Sequence, residues 1–317
     1  MKDRILIAVD DLDRHALQKI RAAVSGWATV ESIAQQTGEI EYRAALRGCT
    51  ACIGWPDAAW LPESGVRLLQ TGSSGWESYR DRGLERIEGF SLCTARGIYT
   101  IGVAEHAIAM MFSLVRRIPV HVHDKDRKQF RRHLPYAPEI AGSVACVIGL
   151  GDIGTAVARL CRGLDMSVIA VTRRPVATNR NIDRVFPLSA IAEALGLADH
   201  IFLCLPGTPE NAVLIGRPQL ECCKKSAFLY NISRGSVLDE TSLHALIRDG
   251  ALAGAGLDVT TVEPLPLDSP LWQLGDHVLI TGHSAGLSQG HASRFLQLVI
   301  RNLKNFHEQR PLINKVI

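Results

Sequence analysis

The 317 residues exceed one ordinary domain and are enough for two hydrophobic cores. With 47% apolar and 21% charged residues the balance is globular, which excludes a disordered chain. A formal net charge of +3 is too small to point to a nucleic-acid or membrane-surface partner.

The opening MKDRILIAVDDLDR has an apolar run only from Ile5 to Val9 and meets acids at once, so it lacks the apolar region of a signal peptide. No later stretch is apolar for long enough to span a bilayer. The expectation is a cytoplasmic protein with its eight cysteines reduced. Cys49 and Cys52 form a CxxC, but no second CxxC or histidine pair completes a metal site, so they read as buried thiols. Cys146, Cys161 and Cys204 lie in apolar runs and read as small core residues.

Apolar runs predict strands at Ile5 to Val9, Ala51 to Ile53, Val66 to Gln70 and Phe90 to Cys93. Further runs lie at 144–149, 168–171, 201–205, 227–232, 254–259 and 278–280. Helical patterns such as Thr155 to Leu164 and Asp239 to Asp249 separate most of them, an alternation that predicts parallel sheets covered on both faces. Val103 to Val120 is apolar enough to predict one largely buried helix. The basic HVHDKDRKQFRRHLPYAPE after it reads as a solvated connector; it lacks the aromatics that base stacking needs, so a nucleic-acid partner is not expected.

Gly149-Leu150-Gly151-Asp152-Ile153-Gly154 follows the apolar VACVI and opens the pattern TAVARLCRGL, with a further strand pattern behind it. In this setting the first glycine permits a tight turn, the second lets backbone approach a pyrophosphate, and the third lets helix and strand pack closely. The helix start then offers amides to the anion. A carboxylate normally ends the second strand, where it takes the adenosine ribose hydroxyls. Here Thr172 stands eighteen residues beyond Gly154, followed by Arg173 and Arg174. A threonine does not repel a 2′-phosphate and guanidinium groups can grip one, so NADP(H) is expected over NAD(H), with NAD(H) possible. The other reading of Arg173 and Arg174 is a solvated strand end. Asp152 is unfavourable beside a pyrophosphate unless it faces solvent or pairs with a cation.

Three more segments fall at the carboxyl ends of predicted strands, where open parallel sheets bind ligands: NISRGSVLDE, GLDVTTVEPLP and ITGHSAG. Their Arg234, Glu263 and His283 bring a carboxylate grip, an acid and a titratable base into adjacent loops. With GVAEHAI at 102–108 and LPGTPEN at 205–211, these motifs make the chain similar to the D-isomer-specific 2-hydroxyacid dehydrogenases from about Leu68 onward.

The resemblance implies an α/β fold of two domains, a Rossmann-type doubly wound parallel sheet inserted into a smaller flavodoxin-like substrate domain. The substrate domain takes residues 1–98 and 290–317, the nucleotide domain 99–289, with a cleft that closes on substrate. It implies reversible hydride transfer between a nicotinamide and a 2-keto acid. Arg234 binds the substrate carboxylate, His283 gives or takes the proton, and Glu263 holds the other imidazole nitrogen to keep the ring protonated for reduction.

Cofactor residues on this pattern are Gly149, Gly151, Asp152, Ile153, Gly154, Thr172, Arg173, Arg174, Leu205, Pro206, Asn211, Ile232, Arg234, Asp258 and His283. Asp258 either orients the cofactor or caps its strand. Ser74 and Gly75 in TGSSGWES are expected to offer amides to the substrate carboxylate. Trp55 and Trp76 either wall the pocket or belong to the core, and Trp76-Glu77 stands where the family often has valine or isoleucine before aspartate. The resemblance also implies a homodimer formed through the Val103 to Val120 region and a small 2-keto or 2-hydroxy acid as substrate; with no spanning segment and a small net charge, no membrane partner is expected.

Glyoxylate and hydroxypyruvate are the leading substrates, because TRRP and the pairing of Trp55 with LPLDSPLW resemble glyoxylate/hydroxypyruvate reductases. An NAD-dependent D-3-phosphoglycerate dehydrogenase is the alternative within the class, with Arg80 and Arg82 as the cations for a substrate phosphate. A dinucleotide-sensing transcriptional corepressor is the alternative outside it, and turnover separates the two.

Overall fold

The structure is a computed structural model that describes residues 2–173 and 177–317. The chain divides into two compact units, one of Met1–Ile98 with Gln289–Ile317 and one of Tyr99–Ser288.

In the first unit, β1 (Asp3–Ile7), β2 (Ala28–Ser32), β3 (Ala51–Ile53), β4 (Leu68–Gln70) and β5 (Ser91–Cys93) form a parallel sheet ordered β2-β1-β3-β4-β5. Helices α1 (Arg14–Val24), α2 (Glu39–Leu46) and α3 (Leu61–Ser64) connect them. Asp13 starts α1 by accepting from the Ala16 amide at 2.7 Å. Alternation along the strands divides the core. Leu6, Cys52, Leu69 and Leu92 pack with Tyr42, Leu46 and Leu61 on one face, while Ile5, Ile7, Ala51 and Leu68 are buried on the other.

The second unit begins with a long apolar helix, α4 (Thr100–Val115), and a short one, α5 (Ile118–Asp126). The single helix expected over 103–120 is therefore two. Arg117 takes a left-handed φ of 54°, and Pro119, in the first turn of α5, has no N–H to continue the α4 ladder. The basic connector is likewise helical as far as Asp126.

Next come β6 (Val144–Ile148), α6 (Asp152–Arg162), β7 (Ser167–Thr172) and β8 (Arg184–Pro187). After these lie α7 (Ile191–Leu197), β9 (His200–Leu203), α8 (Arg217–Leu220), β10 (Phe228–Asn231), α9 (Glu240–Arg248), β11 (Gly254–Leu257) and β12 (Val278–Ile280). Their parallel sheet is ordered β12-β11-β10-β9-β6-β7-β8, which reverses direction at β6 and β9, the switch point of a doubly wound sheet.

Each face of this sheet has its own core. Cys146, Ile148, Ile169 and Val171 face Leu195, Leu243 and Ile247, whereas Ala145, Val147, Val168 and Ala170 face Met111, Val157 and Cys161. The near-continuous apolar strands are what burial on both faces requires. Burial also explains the thiols: Cys52, Cys146 and Cys161 are all pushed up to about 12 by desolvation, as expected of inert core cysteines.

The chain then returns to the first unit through α10 (His291–His307), which packs against α1. Asn302, wholly buried on α10, donates to Gln70 Oε1 at 2.7 Å, and the tail runs beside β5 with paired bonds from Leu92 to Ile317 O and from Val316 to Leu92 O. No helix among the described residues is long and apolar enough to cross a membrane.

Candidate active site

The glycine turn leaves β6 and enters α6 at the switch point. Gly149 has a φ of 98°, and a Cβ there would stand 2.7 Å from the Cys204 carbonyl oxygen. A Cβ on Gly154 would overlap the Gly149 carbonyl, so helix and turn touch only because that carbon is missing. At Gly151 a Cβ would meet nothing within 4 Å, which leaves the start of α6 open to a ligand. These three environments fit a dinucleotide pyrophosphate held on backbone amides. Asp152 is exposed, and Ile153 is half-buried against the α4–α6 core.

Thr172 ends β7 with Arg173 after it, while Arg174 lies outside the described residues. Arg173 donates from Nη2 to Asn211 Oδ1 at 2.6 Å, and Asn211, fully buried, donates to the Pro206 carbonyl at 2.7 Å. The structure thus joins the strand end to the loop beginning at Leu205, which is itself half-buried beside Gly149.

Glu263 and His283 meet: His283 Nδ1 lies 2.8 Å from Glu263 Oε2. Because a carboxylate only accepts, Nδ1 carries the proton of this bond, and Nε2 is the ring nitrogen left outside it. The other carboxylate oxygen, Oε1, takes the Thr260 amide at 3.1 Å, so the acid is fixed at both ends. His283 has a left-handed φ of 52°, a conformation that needs outside support in a residue with a side chain. The Asp258 carbonyl provides it by accepting from the His283 amide at 2.7 Å.

Glu263, His283, Asp258 and Thr281 line a cavity of about 530 Å³ whose remaining wall includes Leu265, Trp272 and Ile280. Asp258 is 2% exposed at its side chain, and its carboxylate takes the Thr281 hydroxyl and the amides of Ser284 and Ala285. These contacts make the Asp258 carboxylate an anchor of the loop after β12.

Arg234 does not line that cavity. It is half-buried after β10, with Nη1 turned onto the Ser233 carbonyl at 2.8 Å, while the Arg234 carbonyl accepts from the Asn231 amide group at 3.0 Å. Ile232, two residues earlier, is buried. Two glycines outside the glycine turn set its place. A Cβ on Gly207 would fall 2.7 Å from Arg234 Cγ, and one on Gly235 would collide with the Thr260 backbone, so the Arg234 and Glu263 loops abut. Nothing in the sequence spacing of Thr281 and His106 links them.

In the first unit, Ser74 is exposed and Gly75 half-buried in the turn after β4, where Ser73 Oγ donates to the Gly75 carbonyl at 3.0 Å. Trp55 and Trp76 are half-buried at the edge of that unit's core. Trp55 stacks on Tyr79 at 6.3 Å, and the Arg80 guanidinium lies over the Trp76 ring at 5.0 Å. No group of three or more metal-ligating side chains occurs among the described residues.

The family model described as the NAD-binding domain of D-isomer-specific 2-hydroxyacid dehydrogenases matches residues 108–285, just over half of the chain. The D-3-phosphoglycerate dehydrogenase of Archaeoglobus fulgidus is 32% identical over 229 residues, 72% of this chain and 43% of that protein. The glyoxylate reductase of Korarchaeum cryptofilum is 31% identical over 227 residues, 69% of this chain and 66% of that protein. The matched stretch is thus less than half of the first relative and just under two thirds of the second. A solved structure of a D-isomer-specific 2-hydroxyacid dehydrogenase family protein from Aeromonas salmonicida has a TM-score of 0.86 at 25% identity, covering 100% of this chain and 99% of that one. The glycine turn, the strand-end loops and these matches lead to one assignment: the chain belongs to the D-isomer-specific 2-hydroxyacid dehydrogenase family.

Proposed function

We propose that this protein reduces small 2-keto acids to D-2-hydroxy acids, with NADPH preferred over NADH and glyoxylate and hydroxypyruvate as leading substrates. The observation that carries the reading is the His283–Glu263 pair, 2.8 Å apart on the wall of a cavity at the carboxyl ends of the strands. The glyoxylate reductase relative supports the substrate class.

Gly149, Gly151 and Gly154 hold the dinucleotide phosphates, and Arg173, with Thr172 in place of an acid, takes the 2′-phosphate. When bound, the dinucleotide supplies the hydride. Arg234 pairs with the substrate carboxylate through its planar fork. His283 gives the Nε2 proton to the keto oxygen as negative charge develops there, and takes a proton back from water afterwards. Glu263 fixes the ring by its Nδ1–H and stabilises the charged imidazolium. Two copies of the chain in the cytoplasm are the expected assembly and setting.

The test is oxidation of NADPH and of NADH with a panel of glyoxylate, hydroxypyruvate, phosphohydroxypyruvate and larger apolar 2-keto acids. Turnover of the two small acids with NADPH is expected. Preference for phosphohydroxypyruvate with NADH replaces this reading by a phosphoglycerate dehydrogenase, and slow activity with every acid replaces it by a dinucleotide-sensing corepressor.

A further inference from the structure

His106 projects from α4 to the loop that carries His283. Its Nε2 lies 3.0 Å from Thr281 Oγ1 and 3.6 Å from Asp258 Oδ1. The direction of these bonds follows from counting protons. Thr281 Oγ1 stands 2.6 Å from Asp258 Oδ1, and a carboxylate cannot donate, so the single hydroxyl proton of Thr281 is committed to Asp258. The Thr281 oxygen then has only lone pairs for His106, and Nε2 of His106 must be the donor.

The carboxylate at the end of this chain of bonds is the one that shapes the His283 loop. Oδ1 of Asp258 accepts from the Ser284 amide at 2.9 Å, Oδ2 accepts from the Ala285 amide at 3.1 Å, and the Asp258 carbonyl takes the His283 amide at 2.7 Å. Three successive amides therefore hang on one buried residue, and they include that of a residue held at a φ of 52°. A buried carboxylate that rotates loses several of these bonds together, because they share two oxygens. His106 and Thr281 restrain that rotation from the helix side.

We propose that His106 is a positioning residue for His283: through the Thr281 hydroxyl it fixes the Asp258 carboxylate that holds the backbone of residues 283–285. The consequence for turnover rests on the reading of His283 as the proton donor; the consequence for the loop does not. His106 touches no reacting atom in this scheme. Its effect on rate comes from keeping the His283 ring in place, where a displacement of about 1 Å costs up to roughly a hundredfold.

The experiment compares His106→Leu, His106→Gln, Thr281→Val and the double variant His106→Leu/Thr281→Val with the unaltered protein. Two readouts are taken: hydrogen exchange at the Ser284 and Ala285 amides without substrate, and kcat, KM and dinucleotide Kd with NADPH and the best acid of the panel. The leucine and valine variants are expected to lose amide protection and about tenfold or more in kcat. KM and dinucleotide Kd should stay within about twofold, and the double variant should be no worse than either single one. Glutamine, which restores an N–H donor, should recover most of both losses. Thr281→Val cuts the same link without touching α4, so the outcome does not hang on one variant folding.

Unchanged protection at both amides in His106→Leu or in Thr281→Val overturns the proposal, as does a double variant whose losses multiply. Lost protection with no turnover of any acid by the unaltered protein leaves the positioning role standing and removes the proposed reaction instead.

Discussion

Arg173 is aimed by Asn211: its Nη2 donates to the Asn211 side-chain oxygen at 2.6 Å, and that side chain, fully buried, is itself tied to the Pro206 carbonyl. The guanidinium at the strand tip is thus held in one orientation by a pre-formed polar pair. Four of its five N–H groups are not used by this bond. Arg173→Asp should lower the NADPH/NADH ratio of kcat/KM by at least about tenfold, since one charge-assisted hydrogen bond is worth about 1.5–3 kcal/mol. Asn211→Ala should lower the ratio in the same direction by loosening the arginine. Binding of 2′,5′-ADP against 5′-AMP gives the same comparison without turnover, and an unchanged ratio in Arg173→Asp would end the phosphate-grip argument.

His283→Asn should cost at least about a hundredfold in kcat while leaving dinucleotide affinity nearly intact, because general acid–base catalysis contributes about that much or more. Glu263→Gln keeps an acceptor for Nδ1 but removes the charge that favours the imidazolium, so a smaller loss, about tenfold, is expected. The check is steady-state kinetics beside a fluorescence titration of NADPH; full turnover in His283→Asn removes that residue from the proton transfer.

Arg234→Lys should chiefly raise KM for the keto acid, since an ammonium cannot reproduce a planar bidentate contact. Gly207→Ala reaches the same residue from outside, because the added Cβ would fall 2.7 Å from Arg234 Cγ and force another rotamer. Both variants should impair acid binding with little effect on thermal stability. A Gly207→Ala protein with ordinary KM would show that the arginine can move aside without cost.

His200 gives a pH prediction for stability. Burial holds its imidazole down from 6.5 to about 4, partly opposed by the Asp199 charge, and its Nδ1 bonds the Tyr230 hydroxyl at 3.1 Å. The unfolded chain therefore takes up a proton below pH 6.5 that the folded protein refuses until about pH 4. The stability due to neutral His200 is complete above pH 6.5 and is lost as pH falls toward 4, by about 3 kcal/mol in all. In urea titrations at pH 7, 5.5 and 4.5, His200→Gln should be less stable at pH 7 and approach the unaltered protein as pH falls. Parallel curves for the two proteins would contradict this.

The two parallel sheets are legible because central strands buried on both faces are continuous apolar runs, as in VACVI and SVIAVT. The strands that escape are β2, with ATVES, and β8, with RVFP. Both are sheet edges, where one side meets solvent and polar residues interrupt the pattern. The break of the long helix also lies below the reach of an apolar pattern, since Ile118, Val120 and Val122 continue it while Arg117 and Pro119 turn the backbone.

At the site, motif spacing singles out Glu263 and His283, whose side chains lie 2.8 Å apart. Arg173 with Asn211, and His106 with Thr281, are not legible in the same way. Their partners are 38 and 175 residues apart, and each pairing depends on the direction of one side chain at a strand end or helix face.

The return of residues 289–317 to the first unit has a consequence for the order in which the molecule comes into being. On the ribosome β1 to β5 emerge first, yet Gln70 lacks its Asn302 partner and β5 its neighbouring tail until the whole second unit has been synthesised. An open sheet edge is a template for wrong pairing, so β1 to β5 stay exposed to misassociation until residues 289–317 are made. The second unit can finish its sheet as it is made, whereas β1 to β5 wait for residues 289–317.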